Sequence, residues 1–502
     1  MNLTRICMTL LLTAAFAAGA AETPELKWNP GPYGTLKDNI LRVTVPAGPA
    51  QANMNCAEAK IDLIPFRDKG LFTFSIRLRA DGVSKPRQKW NGVKFMLHFK
   101  DESGKNYFYN VTGLEGTFDW REVHFSASVP STAVSGALKL GLQDSSGSAE
   151  FDLNSLKITP LFPKTESSYR IRYPGRIAQT PPLRGVMSPT RPLTEDDLAT
   201  LHKWGANLVR FQICRNWGKS NSDRDLAEYD QWLNGKLDHL EQLLALAPKY
   251  GLRFVVDLHS PPGGRDESRD MNMFFDRKYA DHFVKVWQRI AERFRGNPSV
   301  WAYDLVNEPV QSRPALYDYR ELQRIAAEEV RKIDPDTPVM LESNQWDSPD
   351  AFRYLSPLEM DNVIYQVHMY APGTYTHQFV GNTFGEQGGR DFIRYPGMIG
   401  GEMWNKAMLK KSLQPVRDFQ LRHNARIYVG EFSAIAWAPG AADYIRDCIE
   451  VFEEYGWDWS YHAFREWNGW SVEHEGTPGK LVPSPQNARK DALLDGLKRN
   501  AR

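Results

Sequence analysis

The chain has 502 residues, enough for two or three domains with substantial cores, and carries a formal charge of +1 with no long run of either sign. That balance excludes recognition of nucleic acid or of an anionic membrane surface by bulk charge. Fifteen Trp and twenty Tyr exceed what cores require, and flat rings are platforms for the apolar faces of ligands. Residues 1–21 read as a signal peptide: Arg5 supplies the charged start, residues 6–16 the apolar stretch, and Ala17-Ala-Gly-Ala-Ala21 the small-residue cleavage site. Export to the periplasm or the medium is therefore expected. No later segment approaches about 18 apolar residues, so no membrane insertion is expected. Cys7 lies in the signal segment, and Cys56, Cys214 and Cys448 are an odd set without close spacing, which predicts free thiols rather than a disulfide framework or a zinc site.

Residues 22–161 show strand period and almost no helix. Segments 71–78, 93–99, 120–125 and 138–142 alternate apolar with polar residues between Gly, Asp, Ser and Pro turns, which predicts a β-sandwich. Its closing stretch, Gly147-Ser-Ala-Glu-Phe-Asp-Leu-Asn-Ser-Leu-Lys-Ile158, resembles the end of jelly-roll carbohydrate-binding modules. Trp28, Tyr33, Trp90, Tyr107 and Tyr109 are aromatic enough to line a ligand face, but each is also an ordinary core or surface residue. Residues 162–182 are rich in Pro, Arg, Tyr and Ser without period and read as a surface linker.

Over residues 183–502 strands and helices alternate. Predicted strands cover 184–187, 207–212, 253–258, 300–306, 338–341, 362–367, 426–430 and 459–464. Helical patterns lie between them, the first opened by a capping box at Thr194, then 233–250, 280–295, 316–333, 349–355, 405–423, 441–455 and 489–498. Eight strands alternating with eight helices predict an α/β (β/α)8 TIM barrel, in which the side chains at the C-terminal strand ends form the site.

Those ends are polar nearly all the way round. Trp301-Ala-Tyr-Asp-Leu-Val-Asn-Glu-Pro309 reads as a buried parallel strand that delivers Asn307 and Glu308 to its C-terminal end, where packing gives no reason for them. Arg210 lies on strand two, His259 follows strand three, His368 and Tyr370 end strand six, and Glu431 ends strand seven. Arg465-Glu-Trp467-Asn-Gly-Trp470 follows strand eight. Two glutamates facing each other across a barrel mouth are the pair that retaining glycosidases require, with carboxyl groups about 5–5.5 Å apart.

Taken in order, Val209-Arg210, Asp257-Leu-His259, Asp304-Leu-Val-Asn-Glu-Pro309, Val367-His-Met-Tyr370 and Gly430-Glu-Phe432 resemble glycoside hydrolase family 5, the cellulase-like family, from about Arg184 to the C-terminus. The resemblance implies Glu308 as acid/base and Glu431 as nucleophile. It also implies Asn307 at the sugar 2-hydroxyl, Arg210 and Tyr370 positioning Glu431 and keeping it ionised, and His259 and His368 on substrate or tuning the carboxylates. The family's stacking ring after strand eight is assigned to Trp467, with Trp470 and Trp459 as competitors.

Glu342 and Glu466 are alternative partners for Glu308, but neither has the Gly-Glu-Phe context. No cofactor or metal is implied, because the histidines and acids lack close ligand spacing and two carboxylates suffice for hydrolysis. Loops 214–232, 260–279, 371–404 and 466–487, with Trp217, Phe274, Phe275, Tyr375, Trp404 and Trp470, are expected to wall the cleft. The expected partner is a β-linked polysaccharide or oligosaccharide, cleaved by a monomer. A non-catalytic glycan-binding protein on a degenerate barrel and a transglycosylase using the same site are the rival readings.

Overall fold

The structure, a computed structural model, describes residues 26–88, 90–380 and 391–501; the segment read as a signal peptide, with Cys7, lies outside the described residues. The chain divides into two compact units, 1–163 and 164–502.

The first unit is a sandwich of two antiparallel five-stranded sheets. One sheet runs in the order Trp28–Asn29, Met54–Ile61, Ala133–Gln143, Gly92–Asp101, Asn106–Asn110; the other runs Gly34–Lys37, Ile40–Val45, Gly147–Pro163, Gly70–Val83, Gly116–Ser128. Alternation sets the faces. Phe74, Ile76, Leu78 and Ala80 point inward while Arg77 and Arg79 point out, and Phe74 stacks on Phe125 with Phe95 edge-on behind it. Of the aromatics weighed as a ligand face, Trp28, Tyr33, Tyr107 and Tyr109 pack against this core, whereas Trp90 is exposed.

The second unit is a closed parallel barrel of eight strands: Arg184–Met187, Leu208–Gln212, Arg253–Asp257, Val300–Asp304, Val339–Glu342, Val363–Met369, Arg426–Phe432 and Asp458–Tyr461. Between them run helices Glu195–Trp204, Leu226–Tyr250, Arg277–Phe294, Tyr319–Ile333, Lys406–His423 and Ala441–Tyr455, with Ala488–Leu497 after the last strand. Thr194 and Asp197 form the expected capping box. The second helix starts seven residues earlier than its apolar period suggests, because Asp225 caps the N–H groups of Ala227 and Glu228. The segment expected as a helix at 349–355 is only a 3-10 turn, Pro349–Arg353. Among the described residues no helix is long and apolar enough to cross a membrane. Cys56 is half-buried, Cys214 and Cys448 are buried, and all three are free.

The reading of 162–182 as a surface linker needs correction. Phe162 and Pro163 finish the last sandwich strand, and 164–182 packs onto the N-terminal end of the barrel. Ile171 donates its N–H to His423 O, Tyr173 donates its hydroxyl to Val363 O at 2.9 Å, and Arg176 reaches Val300 O and Thr337 Oγ1 at 2.9 and 2.8 Å. Ile177 and Leu183 then join Leu208, Val255, Trp301, Met340, Ile364 and Tyr428 in an apolar stopper that closes this mouth. A segment without sequence period becomes fixed because its backbone and polar side chains saturate the lower strand ends. Ile177→Ala is expected to cost about 2–4 kcal/mol of the second unit's stability, read as a lowered denaturation midpoint.

Candidate active site

The open, C-terminal mouth is built around one guanidinium. Arg210 points up the barrel axis from strand two and is fully buried. Its Nε donates to Asp304 Oδ2 at 2.9 Å and its Nη1 to Glu431 Oε1 at 2.7 Å. Nη2 meets Glu342 Oε1 at 2.9 Å, Asn307 Oδ1 at 3.0 Å and Asp257 Oδ2 at 3.3 Å. Strands two, three, four, five and seven are thus tied by charge at their upper ends.

Glu431 sits opposite His368 in the register of strands six and seven. The glycine before it is required: a Cβ on Gly430 would stand 2.4 Å from the side-chain amide of Gln366. Each carboxylate oxygen of Glu431 has one donor, Arg210 on Oε1 and the Tyr370 hydroxyl on Oε2 at 2.8 Å. Burial alone pushes this carboxyl up, but the charges of His368, His462 and Arg210 outweigh it and hold Glu431 well below the usual carboxylate range. Burial and then Glu431 push the Tyr370 hydroxyl far up, so it remains a donor.

Glu308 lies beyond the end of its strand. Pairing stops at Asp304, two residues earlier than the apolar run suggests, and the chain continues over the mouth until Glu308 adopts a left-handed conformation at φ +49°. For a non-glycine residue this costs about 1–3 kcal/mol and needs support. The support is ionic on both sides of the residue: its N–H donates to Glu342 Oε2 at 2.6 Å, and its carbonyl accepts from Arg265 Nη2 at 2.8 Å. The carboxylate Oε1 meets His368 Nδ1 at 2.9 Å. Burial pushes the His368 imidazole down, but Glu431 first and Glu308 next raise it to about 9.

His259 and Asn307 are oriented as a chain. His259 Nδ1–H donates to Asp257 Oδ2 at 2.8 Å, His259 Nε2 then accepts from Asn307 Nδ2 at 3.2 Å, and Asn307 Oδ1 accepts from Arg210. After strand eight Trp467 is the open ring, 42% exposed, edge-on to Trp437 and Trp470. Trp470 is buried against His377 and Tyr370, and Trp459 is wholly in the core against Phe432. Of the loop aromatics expected in the cleft walls, Phe274 and Tyr375 are instead fully buried, and Trp217 is half-exposed. Residues 381–390 of the loop 371–404 lie outside the described residues.

The alternative carboxylates have other partners. Glu342 is fully buried beneath Glu308, with one oxygen on the Glu308 N–H and the other shared by Arg210 and Gln366. Burial first, then Asp304 and Asp347, push it well above its usual range. Glu466 bonds Gln212 and His462 at the rim. Among the described residues two sets of donor atoms lie within 4.8 Å of one another, Glu308 with His368 and Glu431, and Glu342 with Asp347 and His368. In the first set Arg210, Tyr370 and the Glu308–His368 bond already engage the groups.

Of the residues expected at this mouth, Arg210, His259, Asn307, Glu308, His368, Tyr370 and Glu431 are brought together and Phe274 and Tyr375 are not, while two supports, Arg265 and Trp346, lie outside the expectation. Arg265 sits in a Gly-Gly-Arg loop without periodicity, and Trp346 follows strand five in a turn with three left-handed residues, Gln345, Trp346 and Asp347. Neither carries a signal in spacing.

A closed (β/α)8 barrel thus brings Glu308 and Glu431 together with His368 at its C-terminal mouth. The Cellulase family, glycosyl hydrolase family 5, matches residues 175–468, and the chain belongs to it. Endoglucanase C of Acetivibrio thermocellus is 27% identical over 294 residues, spanning 54% of this chain and 84% of the relative. Cellodextrinase A of Ruminococcus flavefaciens is 28% identical over 186 residues, 37% of this chain and 53% of the relative. Among solved structures, endoglucanase Cel5A from Thermotoga maritima aligns at 19% identity over 62% of this chain and 96% of its own, with a TM-score of 0.44.

The raised His368 gives a signed pH dependence. Its folded-state value of about 9 exceeds an unfolded value of about 6.5, so its contribution is complete below about 6.5 and is lost as pH rises through about 9. Asp347, which burial raises to about 8, acts in the same direction up to that pH. Unfolding free energy measured by denaturant is expected to fall from pH 6.5 to 9.5, and His368→Gln is expected to flatten the slope without abolishing it.

Proposed function

We propose that the protein is an exported retaining β-glycoside hydrolase that cleaves a β-glucan chain or its oligosaccharides by double displacement, with Glu431 as nucleophile and Glu308 as acid/base. The observation that carries the reading is the spacing of the pair: one carboxylate oxygen of each glutamate lies within a 4.8 Å cluster that includes His368. An inverting enzyme needs room for water between its carboxyl groups, roughly 6.5–9.5 Å, whereas a retaining one needs about 5–5.5 Å. The names of the relatives, endoglucanase and cellodextrinase, support β-glucan as substrate, and the N-terminal pattern supports export.

The electrostatics suit the two roles. Glu431 is held ionised and aimed by Arg210 and Tyr370, as a nucleophile must be before it attacks the anomeric carbon. Glu308 shares a hydrogen bond with the imidazole that is raised to about 9, so a proton is at hand beside the leaving oxygen. When Glu431 becomes an ester, its negative charge disappears from the mouth. The groups that charge had held protonated then release protons more readily, which leaves Glu308 to take the proton of the incoming water. Asn307, fixed by His259 and Arg210, retains an amide proton for the sugar 2-hydroxyl, and Trp467 offers its open ring as the stacking face.

The test is covalent trapping. A 2-deoxy-2-fluoro-β-glucoside or mannoside with a good leaving group is expected to label Glu431, located by peptide mass spectrometry; label on Glu342 or Glu466 would reassign the nucleophile. Glu431→Ala should fold yet lose at least about 10³-fold in kcat, while Glu308→Ala should retain activity on aryl glycosides whose leaving groups need no acid. N-terminal sequencing of the secreted chain checks the cleavage near residue 21.

A further inference from the structure

The loops on the Glu308 side of the mouth form a wall with two properties together. Trp217 and Trp346 stand edge-on, ring centroids 6.3 Å apart, 49% and 36% exposed. Trp346 is joined to the catalytic strand end by its N–H on Pro309 O. The wall is also cationic, and the anion felt most by Arg265 and Arg269 is Glu308 itself. Arg265 lies 5.5 Å from the ring of Trp217 and 4.6 Å from that of Trp346, and its Nη atoms donate only to backbone carbonyls, those of Asn307, Glu308 and Arg269. Arg269, 5.7 Å from the Trp346 ring, has a single bond to Gly218 O, and Lys219 meets Asn216 Oδ1 at 3.4 Å. Among the described residues none of the three has a carboxylate within 4 Å, whereas Arg215 and Arg313 in the neighbouring loops have two each. The cost is visible at the buried pair: burial lowers Arg269 and pushes Arg265 down to about 10. Arg265, Arg269, Lys219, Trp217 and His259 line one pocket together with a single acid, Asp223, whose carboxylate is taken up by Arg215, Asn216 and Ser222.

A half-buried guanidinium facing an open cleft without a counter-ion is electrostatically incomplete, and an arriving anion gains a charge-assisted, two-pronged bond. We propose that this wall is a leaving-group subsite for a sugar unit that carries a carboxylate, which makes uronate-bearing β-glycans the substrate class. The carboxylate meets Arg269 with Lys219 at the rim, the apolar ring face rests on the tryptophans, and Arg265 adds its field from behind. The side is set by Glu308, since the acid that protonates the leaving oxygen stands next to the unit that leaves. The assignment rests on the reading of Glu308 as acid/base and Glu431 as nucleophile.

The subsite can be probed with the leaving unit supplied as an acceptor. Enzyme trapped on Glu431 by the 2-fluoroglycoside is incubated with methyl β-D-glucuronide or methyl β-D-glucoside. In each transfer the acceptor hydroxyl oxygen bonds to the anomeric carbon, the bond from that carbon to Glu431 breaks with its electrons returning to the carboxylate, and the hydroxyl proton passes to Glu308. At low salt and subsaturating acceptor, the glucuronide is expected to restore activity roughly tenfold faster than the glucoside. That ratio should fall toward one in Arg269→Gln, and also at about 0.5 M salt, where screening is short-ranged. Equal rates, no rescue by either acceptor, or a faster glucoside overturn the subsite while the label on Glu431 upholds the mechanism. Failure to label Glu431 at all removes the mechanism and the subsite with it.

Discussion

The Arg210 guanidinium is the interaction on which the second unit depends. Four carboxylates, from Asp257, Asp304, Glu342 and Glu431, converge on it out of contact with water. Isolated, each would carry a desolvation penalty of several kcal/mol. A single cation cannot balance four anions, and the surplus is settled by protons: burial against Arg210 brings Asp304 to about 6 and drives Glu342 well above its usual range. Glu431, with His368, His462 and Arg210 around it, is held well below the usual carboxylate range despite its burial. The same ion that ties five strand ends together also aims the Glu431 carboxylate, while His368 and His462 do most to keep it charged.

Around that centre the work is divided by element. Residues that face the reacting atoms stand on or just after strands, whose register is fixed by backbone pairing: His368 and Glu431 are direct neighbours across strands six and seven. Residues that face what lies farther out stand on loops, and the loops reach back to steady the strand ends, as Arg265 does for the carbonyl of Glu308. Trp217, Trp346 and Trp467, the half-exposed rings of the mouth, are all carried by such loops.

This division explains what was legible in the sequence. Period two and buried apolar runs reveal strands, and their ends in a barrel share one face, so Arg210, His259, Asn307, Glu308, His368, Tyr370 and Glu431 can be listed before any coordinates. The strand before Glu308 ends earlier than the apolar run implies, because Leu305 and Val306 are wholly buried beyond the last paired residue and composition does not distinguish burial from pairing. Phe274 and Tyr375 look like cleft aromatics but sit in the loops' own cores. Glu342 stands at its strand end without the Gly-Glu-Phe context, and its bond to the Glu308 N–H shows the place it takes instead. Arg265 and Trp346 are set by tertiary contact between loops far apart in sequence, for which no local pattern exists.

The apolar stopper at the other mouth bears on the chain's modularity. Its residues Ile177 and Leu183, with the Tyr173 and Arg176 anchors, are encoded in the stretch that directly follows the last sandwich strand, not among the barrel's own repeats. A gene rearrangement that exchanged the N-terminal module at the first barrel strand would unseal the barrel floor. One that cut at Pro163 would carry the seal along, so the seam available for shuffling is narrower than the alternation of strands and helices suggests.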